Sequence, residues 1–289
     1  SRKALAIHER LGDRRGAALS WNNLGWIAGY RGDYRAAKQS FEKSHALRRS
    51  SGDRRGEGFA LACLAWAEQW HGDSKRAHKL LDEASRILLP TADPLLLGWT
   101  LAVRALTLLD EGRLDETCEI VEKGYREWKR GTNLSGEAWV LTVRGRVELL
   151  RGRPGEAVDK LEEAAAIWRE VGSRWGVAFA LGELARALAR RGRLEEAKRA
   201  LAESLEIRRS IGDRRGLAQA LDTAAELASG SGDSAALLAA ADALRERIGA
   251  PLSEPEWRLR ANAGLSASET SSLTLEEALD AAVRIASHR

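Results

Sequence analysis

The sequence predicts an all-α protein built as a solenoid of helix-turn-helix units, and three observations carry that prediction. Glycines at 32, 72, 112, 152, 192 and 232 recur on a 40-residue period. The word GDRRG stands at 12–16, 52–56 and 212–216, on the same period. The segments between these markers are dominated by Ala, Leu, Arg and Glu, and the whole chain holds five prolines. Those residue types favour helix. Self-similarity at about 20–50 residues means stacked supersecondary units that bury a core only against their neighbours.

Taken in order, residues 1–11 read as the latter part of a helix with no cap before it. Six 40-residue units follow, starting near 12, 52, 92, 132, 172 and 212. The first, second and sixth open on GDRRG; the intervening slots read TADPLL from Thr91, GTNLSG from Gly131 and VGSRWG from Val171. Each unit carries two helical patterns divided by the periodic glycine. Gly32 and its equivalents sit where a helix ends in a left-handed turn. Asp33, Asp73 and Asp233 are placed to cap the helix that follows. In GDRRG, Gly12 ends one helix and Asp13 caps the next. Arg14 and Arg15 then fall in an exposed first turn, and Gly16 allows close approach to the preceding helix. The word is punctuation between units.

Small and large residues alternate in register. One position of the first helix reads Gly25, Ala65, Ala105, Gly145, Ala185, Ala225, and in the second helix Ala37, Ala77, Ala157 and Ala197 share a place. Beside them stand Trp21, Leu61, Leu101, Leu141, Leu181, Leu221 and, in the second helix, Phe41, Leu81, Val121, Leu161, Leu201. Small positions let helices cross closely while large ones fill the adjoining gaps. The string WNNLG from Trp21 to Gly25 resembles the W-x2-L-G signature of the tetratricopeptide repeat. The resemblance covers residues 1–249 and implies a right-handed superhelix, with units of 40 residues like the longer ones of bacterial signalling regulators.

Residues 250–289 leave the period. IGAPL from Ile248 and LTLEEA from Leu273 resemble the C-terminal region of bacterial signalling ATPases and of LuxR- or AfsR-like transcriptional regulators of the STAND type. Ser253 with Glu256, and Thr274 with Glu277, have capping-box spacing. They open two short helices able to cover the apolar end of a stack.

Composition narrows the function classes. Forty-six basic and 42 acidic residues give a net charge of +4, too even a balance to argue for a polyanionic partner. Cys63 and Cys118 are too few for a disulfide framework and fit a reducing cytoplasm. The longest apolar run, from Pro94, contains Arg104 and falls short of the roughly 20 residues a bilayer needs. The chain therefore reads as soluble, cytoplasmic and unassociated with membrane. With no methionine and an uncapped first helix, it also reads as a piece of a longer protein. No Walker loop, Cys-x2-Cys pair or His-Glu-x2-His string occurs, and His71 and His78 lie seven apart across a turn. The expectation is no enzyme, no cofactor and no metal, with any nucleotide-binding module outside this chain.

The candidate site is a groove. On the first helix, residues 21, 24, 25 and 28 pack on the partner helix, and an offset of two residues turns about 200° to the other side. That side is apolar where water alone would ask for polarity. One register reads Leu19, Phe59, Trp99, Trp139, Phe179, Gln219; another reads Trp26, Trp66, Leu106, Arg146, Arg186, Glu226; Tyr30 and Trp70 extend it. By the family resemblance this face lines a concave groove for extended peptides or partner helices, with Asn22 like the asparagines that hold peptide backbones. The candidate residues are Asn22, Trp26, Tyr30, Phe59, Trp66, Trp70, Trp99, Trp139, Arg146, Phe179, Arg186 and Arg190. Aromatics supply contact area, and the arginines can clamp carboxylates. A packing role stands beside this one: Phe59, Trp99, Trp139 and Phe179 are equally suited to meet the next unit's first helix, and Trp128 and Trp168 to wedge between units.

The reading is of a binding and sensing portion of a larger regulator. Its occupant is a peptide, a partner protein or another segment of the same polypeptide. A stand-alone scaffold is the alternative. Nucleic-acid contact through the arginine pairs is less favoured, because Asp13, Asp53 and Asp213 stand beside them and two units lack them.

Overall fold

Helices account for nearly all of the chain, in a computed structural model that describes residues 2–131, 133–229, 231, 233–265 and 273–287. After α1 (Arg2–Arg10), the helices come in pairs: α2 (Arg14–Tyr30) with α3 (Tyr34–Ser50), and α4 (Arg54–Trp70) with α5 (Ser74–Leu88). A 3₁₀ turn at Leu89–Thr91 leads to α6 (Pro94–Asp110) and α7 (Leu114–Arg130). The later pairs are α8 (Ser135–Leu150) with α9 (Pro154–Val171), α10 (Arg174–Arg190) with α11 (Leu194–Ile211), and α12 (Arg214–Leu227) with α13 (Asp233–Ile248). Two short helices close the sequence, α14 (Glu254–Asn262) and α15 (Leu275–Ser287). The chain forms two units, Ser1–Leu108 with Asp115–Asn133, and Leu109–Leu114 with Leu134–Arg289.

The capping grammar is realised residue by residue. The Gly16, Gly56 and Gly216 N–H groups each donate to the carboxylate of Asp13, Asp53 and Asp213 at 2.9 Å, and Gly176 N–H donates to Ser173 Oγ at 3.2 Å. Such caps satisfy donors that the helix start leaves orphaned. Asp33 and Asp73 cap α3 and α5 in the same way. Asp233 differs: it is the first residue of α13, not the residue before it. The sixth periodic glycine, at 232, lies outside the described residues.

Two kinds of glycine do different work. Gly32 takes φ +75, the left-handed turn that breaks one helix and lets the chain reverse. Gly25 and Gly145 instead make room: a Cβ there would lie 2.5 Å from the ring of Phe41 and from Leu161 Cγ, respectively. The small and large registers therefore mesh as partners across these two helix pairs.

In the first unit Phe41, Leu81, Ala37, Ala77 and Ala84 are fully buried, and in the second Leu161, Leu201, Ala157, Ala164 and Ala197 repeat that layer. First helices also touch one another, α2 with α4, α8 with α10 and α10 with α12. Trp128 and Trp168 wedge inward, the latter donating its indole N–H to Thr142 Oγ1 at 3.0 Å. The helix α15 packs on α11, α12 and α13. Both predicted capping boxes form: Ser253 with Glu256 on α14, and Thr274 with Glu277 on α15, where Glu277 Oε2 accepts from Thr274 N–H at 2.7 Å. Among the described residues no helix is long and apolar enough to cross a membrane, and no group of His, Cys, Asp and Glu is arranged to hold a metal ion.

Candidate functional site

The first-helix face singled out in the sequence is closed over in both units, by different means. In the first unit aromatics fill it with each other. Trp26 lies 4.5 Å from Trp66 and 5.5 Å from Trp99 between ring centroids, Trp66 lies 4.4 Å from Trp70, and Tyr30 stacks on Trp26 at 6.0 Å. Trp66 is 2% exposed and Trp70 is buried; Trp26, Tyr30, Phe59 and Trp99 are half-buried. Asn22 is also buried, as is Cys63, whose thiol pKa burial pushes well above its ordinary value.

The expectation that Trp66 opens onto a groove is corrected by these positions. A first helix is contacted on three sides, by its own second helix, by the second helix of the preceding pair and by neighbouring first helices. Treating it as two-faced assigned the third contact to solvent. Each indole hides a large apolar area whose exposure would be costly.

In the second unit the face is charged. Trp139 and Phe179 are buried, their ring centroids 6.1 Å apart, and half-buried Trp175 stacks on Trp139 at 5.9 Å. Arg146 and Arg186 are about as buried, which corrects the expectation of an open cationic groove. Arg186 reaches the next first helix, donating at 3.4 Å to the Gln219 carbonyl and to Thr223 Oγ1. Arg146 sits among three carboxylates without a close partner: Asp110 at 3.6 Å, Glu183 at 3.7 Å and Glu256 at 3.6 Å. Its Nε makes no hydrogen bond among the described residues. Burial alone would lower the pKa of Arg146, but those carboxylates hold it above its ordinary value.

Glu256 belongs to α14, and it joins the tail to the array. Its Oε2 caps its own helix, accepting from Ser253 N–H at 3.1 Å, while Oε1 accepts from Gln219 Nε2 at 2.7 Å. Burial would raise the Glu256 pKa, but Arg215, Arg146, Arg245 and the Gln219 hydrogen bond carry it well below the usual carboxylate range. Arg190 donates to Glu226 Oε1 at 3.0 Å and to the Leu259 carbonyl at 2.9 Å. One turn after Glu256, Arg260 donates at 2.6 Å to Asp222 Oδ1 and at 3.0 Å to Asp242 Oδ2, and Arg245 pairs with Asp222 as well. Three successive first helices, α8, α10 and α12, thus supply Arg146, Arg190, Gln219 and Asp222 to one nine-residue helix.

The sequence singled out Arg146, Arg186 and Arg190; the structure places Arg215, Gln219, Asp222 and Glu256 beside them. A signal was present at Gln219, a polar residue in the register that elsewhere reads Leu, Phe or Trp. Arg215 was expected in an exposed turn; it is 8% exposed and donates to Asp110 Oδ2 at 3.1 Å. In the first unit Arg54 pairs with Glu57 and Arg55 with Asp93, so carboxylates neutralise both arginines of that GDRRG word.

The architecture defines a class, the helix-turn-helix repeat solenoids. More particularly, the chain carries tetratricopeptide repeats: residues 1–50 and 178–211 match family models described as tetratricopeptide repeat. A Rap protein complexed with competence and sporulation factor is similar in structure at TM-score 0.68 and 14% identity, over 86% of this chain and 66% of that one. A Signal Transduction ATPase with Numerous Domains (STAND) protein with a tetratricopeptide repeat sensor, from Pyrococcus horikoshii, is similar at TM-score 0.56 and 16% identity, over 91% and 43%. BtubC from P. vanneervenii is similar at TM-score 0.51 and 18% identity, over 83% and 96%. This chain thus spans less than two thirds of the first two. No curated protein matches it in sequence. At these identities the likeness is one of fold, and a repeat fold of this kind suggests protein–protein interaction or sensing.

Proposed function

We propose that this chain is the binding and sensing portion of a larger bacterial signalling or transcriptional regulator, acting without catalysis. A peptide, a partner protein or a segment of the same polypeptide occupies the inner face of the first helices. That occupancy biases an effector between two states. The observation that supports this reading best is the seating of α14 on Arg146, Arg190, Gln219 and Asp222. A backbone carbonyl, a carboxylate and a guanidinium of one helical segment all find partners there. The neighbours described as a Rap protein complexed with competence and sporulation factor and as a STAND protein with a tetratricopeptide repeat sensor agree with it in fold. We also propose that residues 1–249 form the repeat array and that 250–289 form a tail that closes it. Charge neutralisation along the arginine edge speaks against nucleic acid.

The test is a photo-crosslinker placed at Trp257, which is 62% exposed on α14, and for comparison at Glu203 on the surface of α11. A partner captured from source-organism lysate at Trp257 and not at Glu203 supports recognition on the side of the array that α14 occupies. Capture at Glu203 alone moves recognition to the outer surface.

A further inference from the structure

We infer that α14 is a displaceable occupant, and that the inner face of the second unit recognises a helix bearing a carboxylate, a leucine three residues on and a guanidinium one residue further. In this chain the pattern is Glu256, Leu259, Arg260. The inference rests on the proposed binding function and names the chemistry of its ligand.

Three observations carry it. The first is the paucity of apolar anchorage: only Pro255, Glu256 and Leu259 of α14 are buried, and Trp257 points into solvent. A segment integral to a core would bury its tryptophan; this one is held largely by charge. The second is the division of labour beneath it. Arg146, Arg215 and Gln219 serve the carboxylate end, and Asp222 with Asp242 serves the guanidinium end. Each charge of the helix answers its own cluster, so a segment lacking either one leaves a cluster unanswered, which selects for sequence. The third is imperfect fit. Arg146 is 4% exposed, yet its Nη2 stands 3.6 Å from Glu256 Oε1, beyond hydrogen-bond reach, and its Nε has no hydrogen-bond partner among the described residues. A helix seated slightly closer would convert that distance into a charge-assisted hydrogen bond, which Glu256 leaves unmade. A tethered segment faces its site at an effective concentration on the order of millimolar. A competitor must therefore be better fitted, or the tether must be loosened.

The experiment uses the full chain and a fluorescein-labelled peptide of residues 251–264, read by fluorescence anisotropy. In the wild type the tethered copy competes, and the peptide binds weakly. In Glu256→Gln, where the resident helix has lost its charge, the same peptide binds at least tenfold more tightly. Peptides carrying Glu256→Gln or Arg260→Gln fail to bind either chain. Gln219→Ala added to Glu256→Gln abolishes the gain, and matching helical circular dichroism certifies the folded state of each variant. Equal affinity for both chains, or no binding to either, overturns the inference while leaving the Trp257 crosslinking result, and with it the binding function, untouched. Tight binding of the charge-neutralised peptides likewise overturns the recognition pattern.

Discussion

Removing the guanidinium of Arg208 tests how the repeat junctions are held. Arg208 is 4% exposed at the end of α11. It donates at 2.9 Å to Asp213, at 3.0 Å to Ser204 Oγ and at 3.2 Å to the carbonyl of Ala178 in α10. Asp213 is itself buried and caps α12, so one side chain ties α10, α11 and α12 together. Breaking a buried pair from one side costs about 3–5 kcal/mol, since a charge is left unpaired. Asp213 keeps its bond to Gly216, which favours the lower end, so Arg208→Ala should cost about 3 kcal/mol. The same register holds Arg48, but there the pair with Asp53 spans 3.6 Å and its side chains are 13% and 26% exposed. Arg48→Ala should cost about 1 kcal/mol or less. Repeat arrays unfold in segments, so the assay is native-state hydrogen exchange of the α11 and α12 amides beside urea unfolding. A loss of about 3 kcal/mol accelerates exchange there by about 150-fold. Equal losses for the two variants would refute the argument that burial sets the value of this junction.

Gly145→Ala gains about 1 kcal/mol in helix propensity. It sets a methyl 2.5–3.1 Å from three Leu161 carbons, overpacking worth about 1–3 kcal/mol, so a net loss and a lower melting temperature are expected. Cys63, buried with its pKa pushed up, should resist alkylation at neutral pH, while the partly exposed Cys118 labels; both label in urea. The Glu256 carboxyl is held below its ordinary value of 4.5, so its stabilisation is complete above that pH and fades as pH falls through the depressed value. Protection of α14 should accordingly be flat at neutral pH and decline only below about 4.5, with Glu256→Gln showing no such step.

The helices, their glycine turns and most of their caps were legible because each depends on residues close in sequence. Gly12 and Asp13 announce a turn and a cap without reference to anything distant. The meshing of Gly25 with Phe41 was legible because the period placed both in register. The inner face was not, since its fate depends on what lies a full unit or more away. Trp66 in the sequence is an aromatic on the second side of a helix, beside Trp70 one turn on; only the fold brings Trp26, a full repeat away, onto it. Glu256 announced itself as a capping residue, and its second oxygen was invisible until Gln219, 37 residues earlier, stood beside it. One junction signal was within reach: His8, Arg48 and Arg208 each precede by five residues the Asp they pair with, whereas Trp168 precedes Ser173.

Hydrogen exchange of the wild-type chain against Glu256→Gln tests the central claim most directly, because it reads the inner face without any added partner. The account predicts faster exchange in α14 and along the facing turns of α8, α10 and α12, with α9 and α11 unchanged. A uniform change across the second unit would make α14 part of the fold rather than its occupant. No change in α14 would mean that Glu256 does not hold it there.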